Sequence, residues 1–322
     1  MDGSNVAVVG GAGFIGSHVV DQLVGMGCRV SVIDNLSVKG TEQFINPRAT
    51  LHRVDIADPR VNFEEILKGI DYVFNYASHP YIPDCISNPV DAMQANTIGP
   101  LRIIEAATKA GVKRILQVTS AEVYGNGCNY NEDSAPLEAV STYAASKVAI
   151  DNLARTRFIE NGSPVIVLRQ FNCVGERETH PYVIPEIISQ VHKQRAASKQ
   201  QIILNLGNDT TRDFMHVIDA ADSAIRLIQR GEPGQAYNLG SESGIRIYEL
   251  AEMITETITG KQPVIVVDAD RIRPNEIWGL KSSNGKIKDV IGDRGLYALG
   301  LDRAIKDAYS HFVKNGYRWV WE

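Results

Sequence analysis

The chain has 322 residues, 44% hydrophobic and 22% charged, the profile of a soluble globular protein of about two domains. A net charge of −5 excludes global attraction to nucleic acid or an anionic membrane, so any anionic ligand must be held by local groups. No apolar run approaches the roughly 18–20 residues of a membrane span. A strand and a glycine turn begin near the N-terminus, where a signal peptide would need a basic and then an apolar region, so a cytoplasmic protein is expected. Cys28, Cys85, Cys128 and Cys173 are scattered with no CxxC or Cys/His spacing, which argues for reduced thiols over disulfides or a metal site.

In chain order, residues 6–9 read as a short apolar strand, followed at once by Gly10-Gly11-Ala12-Gly13-Phe14-Ile15-Gly16. A helix over 14–26 and a second strand over 29–33 come next, the latter ending in Asp34-Asn35. Glycines at this spacing permit a tight turn and let backbone N–H groups approach a pyrophosphate at the helix N-terminus. Asp34 lies 18 residues past Gly16, where a carboxylate would accept hydrogen bonds from a ribose diol. Strand, glycines, helix, strand and acid in that order point to dinucleotide binding. An acid at 34 with no arginine beside it favours NAD over NADP, whose phosphate it would repel.

The alternation continues with strands over 50–54, 72–75 and 115–118, the last two separated by a helix over 89–110. A helix over 142–160 then leads to a strand over 165–168. This pattern predicts an α/β fold with a doubly wound parallel sheet, whose ligands sit beyond the carboxyl ends of the strands. Asp34, Asp55, Ala77, Ser120 and Asn172 each fall just after a strand, and that clustering is the evidence for one site. Beyond 172 the regularity weakens, with helices over 184–191 and 219–230 and strands over 202–206, 236–239 and 264–267. Residues 1–172 with about 213–243 are expected to form the dinucleotide-binding domain. About 173–212 with 244–322 would form a smaller α/β domain closing over the sheet edge.

Two stretches carry the chemistry: Thr119-Ser120-Ala121-Glu122-Val123-Tyr124-Gly125, after the strand at 115–118, and Tyr143-Ala144-Ala145-Ser146-Lys147, opening a helix. Tyr143 and Lys147 are four apart and project from one helical face. An ammonium near a phenol lowers its pKa, so Tyr143 reads as a general base, with Ser120 adding a hydrogen bond to the same substrate oxygen. The pair alone would fit an ordinary surface helix. Its place among the other strand-end residues makes it catalytic.

With these motifs in hand, nearly the whole chain resembles the extended short-chain dehydrogenase/reductases, and within them the nucleotide-sugar 4-epimerases and dehydratases. The resemblance implies NAD as cofactor. Gly10, Gly13, Phe14, Ile15 and Gly16 would hold its pyrophosphate, Asp34 and Asn35 its adenosine ribose, and Asp55 and Ile56 its adenine. Tyr76, Ala77, Ser78 and Asn96 would line it, and Lys147 would bind the nicotinamide ribose. Asn172, Arg212 and Arg273 would contact a nucleotide-diphosphate sugar, with bidentate guanidiniums suited to phosphate. His79 follows the fourth strand in a loop that could touch the sugar, and its near-neutral pKa would suit a proton carrier. Members commonly pair helices like 89–110 and 142–160 in a dimer, which implies a homodimer.

The implied reaction begins with oxidation at C4. An epimerase needs only that the keto sugar turn over and take the hydride back on its other face. A dehydratase must also take the C5 proton and help hydroxide leave C6. Family dehydratases and decarboxylases carry Glu at the position of Glu122, whereas Ala121 stands where many 4,6-dehydratases place a proton-donating Asp. Gln170 replaces the aromatic residue many 4-epimerases have there. The reading chosen is 4-epimerisation, with 4,6- or 5,6-dehydration through Glu122 as the alternative. A non-enzymatic NAD-sensing protein of this fold would be expected to have lost Tyr143 or Lys147. The sequence leaves the nucleotide base and the sugar open.

Overall fold

The computed structural model describes residues 1–126, 130–272, 275–293 and 295–315. Its first half alternates strand and helix: β1 (Asn5–Val9), α1 (Phe14–Gly25), β2 (Arg29–Asp34), β3 (Thr50–Arg53), α2 (Phe63–Ile66) and β4 (Tyr72–Asn75). There follow α3 (Ile82–Ser87), α4 (Pro89–Met93), α5 (Gly99–Lys109), β5 (Arg114–Ser120), α6 (Thr142–Asn161) and β6 (Val165–Gln170). The second half holds β7 (Asn172–Val174), α7 (Val183–Ala196), β8 (Ile202–Leu206), β9 (Thr211–His216), α8 (Val217–Arg230) and β10 (Ala236–Leu239). It ends with β11 (Gly244–Arg246), α9 (Ile247–Thr259), β12 (Pro263–Val267), α10 (Gly285–Ile291) and α11 (Leu301–Asn315).

Seven strands form one parallel sheet in the order β10-β6-β5-β4-β1-β2-β3. The order reverses between β1 and β4, which makes a crevice at their carboxyl ends, the usual place for a ligand in such a sheet. Strand residues alternate between the two faces. Val6 and Val8 of β1 pack with α1 and α8, whereas Ala7 and Val9 pack with α2, α5 and α6. The expected doubly wound sheet is therefore present.

A separate core gathers Ile184, Ile187 and Val191 of α7, Ile202 and Leu204 of β8, Leu250 and Ile254 of α9, and Ile305 of α11. Beside it run the parallel pair β8–β12 and a three-stranded sheet, β11-β9-β7. Ile287 and Ile291 of α10 instead join the α1–α8 core, so the late chain serves both layers.

The expected helix over 89–110 is continuous but not uniform. Between α4 and α5 the turn Gln94–Ile98 widens to a π-helix. Pro100 follows it and has no N–H with which to close an ordinary helical turn at this point. Among the described residues no helix is long and apolar enough to cross a membrane. Cys28, Cys85 and Cys173 are unpaired thiols, and Cys128 lies outside the described residues.

Candidate active site

A cavity of about 1060 Å³ opens along the carboxyl edge of the sheet and reaches into the second core. Its floor begins at the glycine turn. Gly10 has φ +75°, and a Cβ there would stand 2.6 Å from the Ala77 backbone nitrogen. A Cβ at Gly16 would collide with the Gly10 carbonyl. Only glycines let this turn pass so close to β4 and α1, leaving a cradle at the α1 N-terminus where the backbone dipole favours an anion. Gly13 sits just before α1, and Phe14 and Ile15 begin it, all three lining the cavity.

Asp34 ends β2 with Oδ2 accepting from the Ala12 N–H at 3.0 Å and Oδ1 from the Leu36 N–H at 2.9 Å. Burial raises its carboxyl above the usual range, and those two backbone donors oppose the shift. Asn35 donates to Asp55 Oδ2 at 3.0 Å, which ties the ends of β2 and β3 together. Ile56 follows as part of the cavity wall, held from behind by Arg102, which donates to its carbonyl at 2.7 Å. Tyr76, Ala77 and Ser78 also line the cavity. These residues could hold a dinucleotide along its whole length.

Asn96 does something else. Its side chain is fully buried and stays within the protein. Oδ1 accepts from the Ser78 hydroxyl at 3.0 Å and the His79 N–H at 2.6 Å, while Nδ2 donates to the His79 carbonyl and the Ser146 hydroxyl. Placed on the π-helical turn, it latches the loop after β4 to α6, so direct cofactor contact gives way to a supporting position.

At the carboxyl end of β5, Ser120 caps a short turn, its hydroxyl accepting from the Glu122 N–H at 3.2 Å. Tyr143 projects from the first turn of α6, whose start is capped by Ser141 accepting from the Ala144 N–H at 3.1 Å. The Ser120 hydroxyl hydrogen-bonds the Tyr143 phenol, and the Lys147 ammonium lies 5.6 Å from the centre of its ring. Ser120, Glu122, Tyr143 and Lys147 therefore meet at one wall of the cavity.

The electrostatics differ from the sequence expectation. Within the protein alone the phenol is raised, not lowered, because burial outweighs the Ser120 hydrogen bond and the Glu122 charge adds to the rise. Lys147 bears the cost of the same burial, which brings its ammonium down to about 8. At neutral pH the lysine is thus a buried charge with no hydrogen-bond partner among the described residues. For Lys147→Met we expect the NAD-stripped protein to be stabilised by about 1–3 kcal/mol at pH 7, from the size of a shift of this kind. The sign follows from linkage: the unfolded lysine binds its proton more tightly, so the wild-type penalty is relieved as pH rises from about 8 towards 10.5. Denaturant titrations of both proteins across that range check it. The variant's advantage should shrink with rising pH, and an unchanged advantage would contradict the assignment.

Towards the second core, Asn172 opens β7 and donates to the Asp213 carbonyl at 3.1 Å, and it lines the cavity. Arg212 lines it too, but is tied within the protein: its guanidinium pairs with Glu276 at 2.9 Å and donates to the Ile277 carbonyl at 2.7 Å. A diphosphate would have to share it. Arg273 lies outside the described residues. His79 stands in the cavity wall with Nε2 3.6 Å from Asp84 Oδ2.

Gln170, singled out in the sequence, and several residues given no role there also line the cavity. Gln170, the atypical residue, is oriented by Nε2 donating to the Leu239 carbonyl at 3.1 Å, and its Oε1 is buried without a partner among the described residues. Tyr81, His180 and Tyr182 cluster with ring centres 5.5–6.4 Å apart. Burial lowers His180 to about 4, so it is neutral. Glu178, in the loop before α7, lines the same cavity. The available signal was its place just after the strand that begins at Asn172.

Residues 6–240 match the NAD dependent epimerase/dehydratase family. The UDP-glucose 4-epimerase of Lacticaseibacillus casei is 28% identical over 326 residues, spanning 95% of this chain and 96% of that protein. The solved UDP-N-acetylglucosamine 4-epimerase of Methanobrevibacter ruminantium, in complex with UDP-N-acetylmuramic acid, superposes with a TM-score of 0.84 at 27% identity. That match covers 98% of this chain and 99% of the other. The dTDP-glucose 4,6-dehydratase of Streptomyces venezuelae, solved with NAD bound, gives 0.85 at 25% identity over 98% of each chain. A glycine cradle, an acid at the end of β2 and a Ser/Tyr/Lys wall along one cavity agree with that match: the chain belongs to the NAD-dependent epimerase/dehydratase family.

Proposed function

We propose that the chain is an NAD-dependent nucleotide-sugar 4-epimerase working through a transient 4-keto sugar. The observation that carries the reading is the joining of two things in one cavity. The Tyr143 phenol, hydrogen-bonded by Ser120, shares it with the glycine cradle and Asp34. The two 4-epimerases named above support the same activity.

In this reading Gly10, Gly13, Phe14, Ile15 and Gly16 hold the NAD pyrophosphate, Asp34 and Asn35 the adenosine ribose, and Asp55 and Ile56 the adenine. Tyr76, Ala77 and Ser78 flank the nicotinamide half. NAD, when bound, would supply the hydride acceptor and a positive ring charge. Tyr143 takes the 4-hydroxyl proton as C4 gives up its hydride, and Ser120 holds the same oxygen. Lys147, charged below about pH 8, steadies the tyrosinate and the nicotinamide ribose. The keto sugar then turns, and hydride and proton return on its other face. Beyond that proton transfer, only orientation and electrostatics are asked of the protein.

Residues 173–212 and 244–322 are assigned to the nucleotide-sugar side, with Asn172 and Arg212 reaching the diphosphate and His79 the sugar. The three unpaired thiols support a cytoplasmic setting. A homodimer through α4, α5 and α6 is supported by exposed apolar side chains on this stretch: Val90 of α4, Ile98 of the π-helical turn and Ile159 of α6, 70%, 41% and 80% accessible. Light scattering should return the mass of two chains, and the mass of one would contradict the dimer. Conversion of UDP-glucose to UDP-galactose by the NAD-loaded protein tests the activity.

A further inference from the structure

Helix α5 grips the adenine end of the cavity from behind. The loop of residues 54–62, between β3 and α2, carries the two residues assigned to adenine, Asp55 and Ile56, and both line the cavity. The loop's own hydrogen bonds are local. Asp55 Oδ1 accepts from the Ala57 N–H at 2.8 Å. The Asp55 carbonyl accepts from the Asp58 N–H, and the Asp58 carbonyl from the Val61 N–H, both at 3.2 Å. These bonds curl the loop, and the Asn35 bond to Asp55 ties down its start. What sets the curled loop against the body of the protein lies on α5.

Arg102 of α5 donates from Nη1 to the Ile56 carbonyl at 2.7 Å and to the Asp58 carbonyl at 2.6 Å. Its Nη2 donates to the Val61 carbonyl at 3.1 Å. The same guanidinium lies over the ring of buried Phe63, 5.1 Å from its centre. Three carbonyls and one ring thus converge on a planar fork of donors, a shape that a guanidinium offers and an ammonium does not. Bonds from a charged donor are also the stronger kind. Gly99 stands three residues before Arg102, on the same face of α5. It receives the Ile56 side chain so closely that a Cβ there would lie 2.6 Å from Ile56 Cγ1. Ile56 is therefore gripped by α5 at its carbonyl and at its side chain.

We propose that Arg102 is a positioning residue for the adenine ring, holding Asp55 and Ile56 where they distinguish adenine from another purine. Adenine carries an amino group that donates, where hypoxanthine carries a carbonyl that only accepts. A carboxylate accepts from the amino group and repels the carbonyl. Such a distinction depends on holding the carboxylate to within about 0.5 Å, and Arg102 does this through the loop rather than by touching the base. The proposal rests on the assignment of adenine to Asp55 and Ile56 and adds what keeps them in place.

Calorimetry on the NAD-stripped protein, with NAD and with its hypoxanthine analogue, tests it. The wild type should bind NAD roughly tenfold more tightly than the analogue. In Arg102→Met, NAD should bind roughly tenfold more weakly and the analogue only about twofold, so that most of the preference disappears. Arg102→Lys, which keeps the charge and loses the fork, should fall between the two. A merely structural loss would weaken both dinucleotides alike, so an unchanged ratio in Arg102→Met would overturn the proposal. NAD affinity preserved in both variants would overturn it as well, while leaving Asp55 and Ile56 their role. A wild type that binds the two dinucleotides equally would instead sink the assignment of adenine to Asp55 and Ile56, and the proposal with it.

Discussion

Tyr143→Phe is expected to lower turnover of a nucleotide sugar roughly a thousandfold while leaving its affinity almost unchanged. The phenylalanine keeps the ring that packs under Lys147 and removes only the oxygen that shares a hydrogen bond with Ser120. Steric fit and the cofactor cradle therefore survive, and the loss falls on proton transfer. Calorimetric binding of the sugar nucleotide beside measured kcat separates the two effects. A fall in affinity with kcat preserved would mean that Tyr143 only positions substrate. Unchanged turnover would remove Tyr143 from the chemistry.

Arg169→Met should cost about 3–5 kcal/mol of stability, because removing one partner strands a buried charge. Arg169 of β6 and Asp151 of α6 are both essentially inaccessible and meet through two bonds of 2.8 Å. The same guanidinium donates at 2.8 Å to the Tyr124 hydroxyl, which in turn donates at 2.8 Å to Asn238 of β10. Thr119 adds a bond to Asp151 at 3.2 Å. Asp151 lies one helical turn beyond Lys147, and Tyr124 closes the turn that carries Ser120 and Glu122. The network therefore pins both catalytic segments to the sheet. Tyr124→Phe, which leaves the Arg169–Asp151 pair intact, should cost less, about 1–3 kcal/mol. Urea titrations would show the order; an Arg169→Met protein within 1 kcal/mol of wild type would contradict this account of the scaffold.

The cofactor half was the more legible part of the sequence because its determinants are local. Gly10, Gly13 and Gly16 meet their constraint within one turn, and Asp34 ends the next strand. Tyr143 and Lys147 share a helical face by spacing alone. The rest depends on distant partners. Nothing near Arg212 announces that Glu276 will hold it, and Asn96 could as well face a ligand as latch a loop. β7 and β11 have three residues each, too short for a visible alternation, and take their register from β9. Burial is likewise a tertiary property. The spacing brought Lys147 to Tyr143 correctly, but the walls around them decide that the phenol is raised and the ammonium lowered.

The most direct test of the central claim is to follow a deuterium placed at C4 of the sugar. NAD-loaded protein would be given C4-deuterated UDP-, GDP-, ADP- and TDP-sugars in ordinary water, and the products analysed by mass spectrometry and NMR. An isomer inverted at C4 that keeps the deuterium on C4 is the predicted result, because the hydride leaves and returns within one site. Loss of that label to solvent during inversion, or an isomer inverted at another carbon, would contradict 4-epimerisation through a 4-keto sugar.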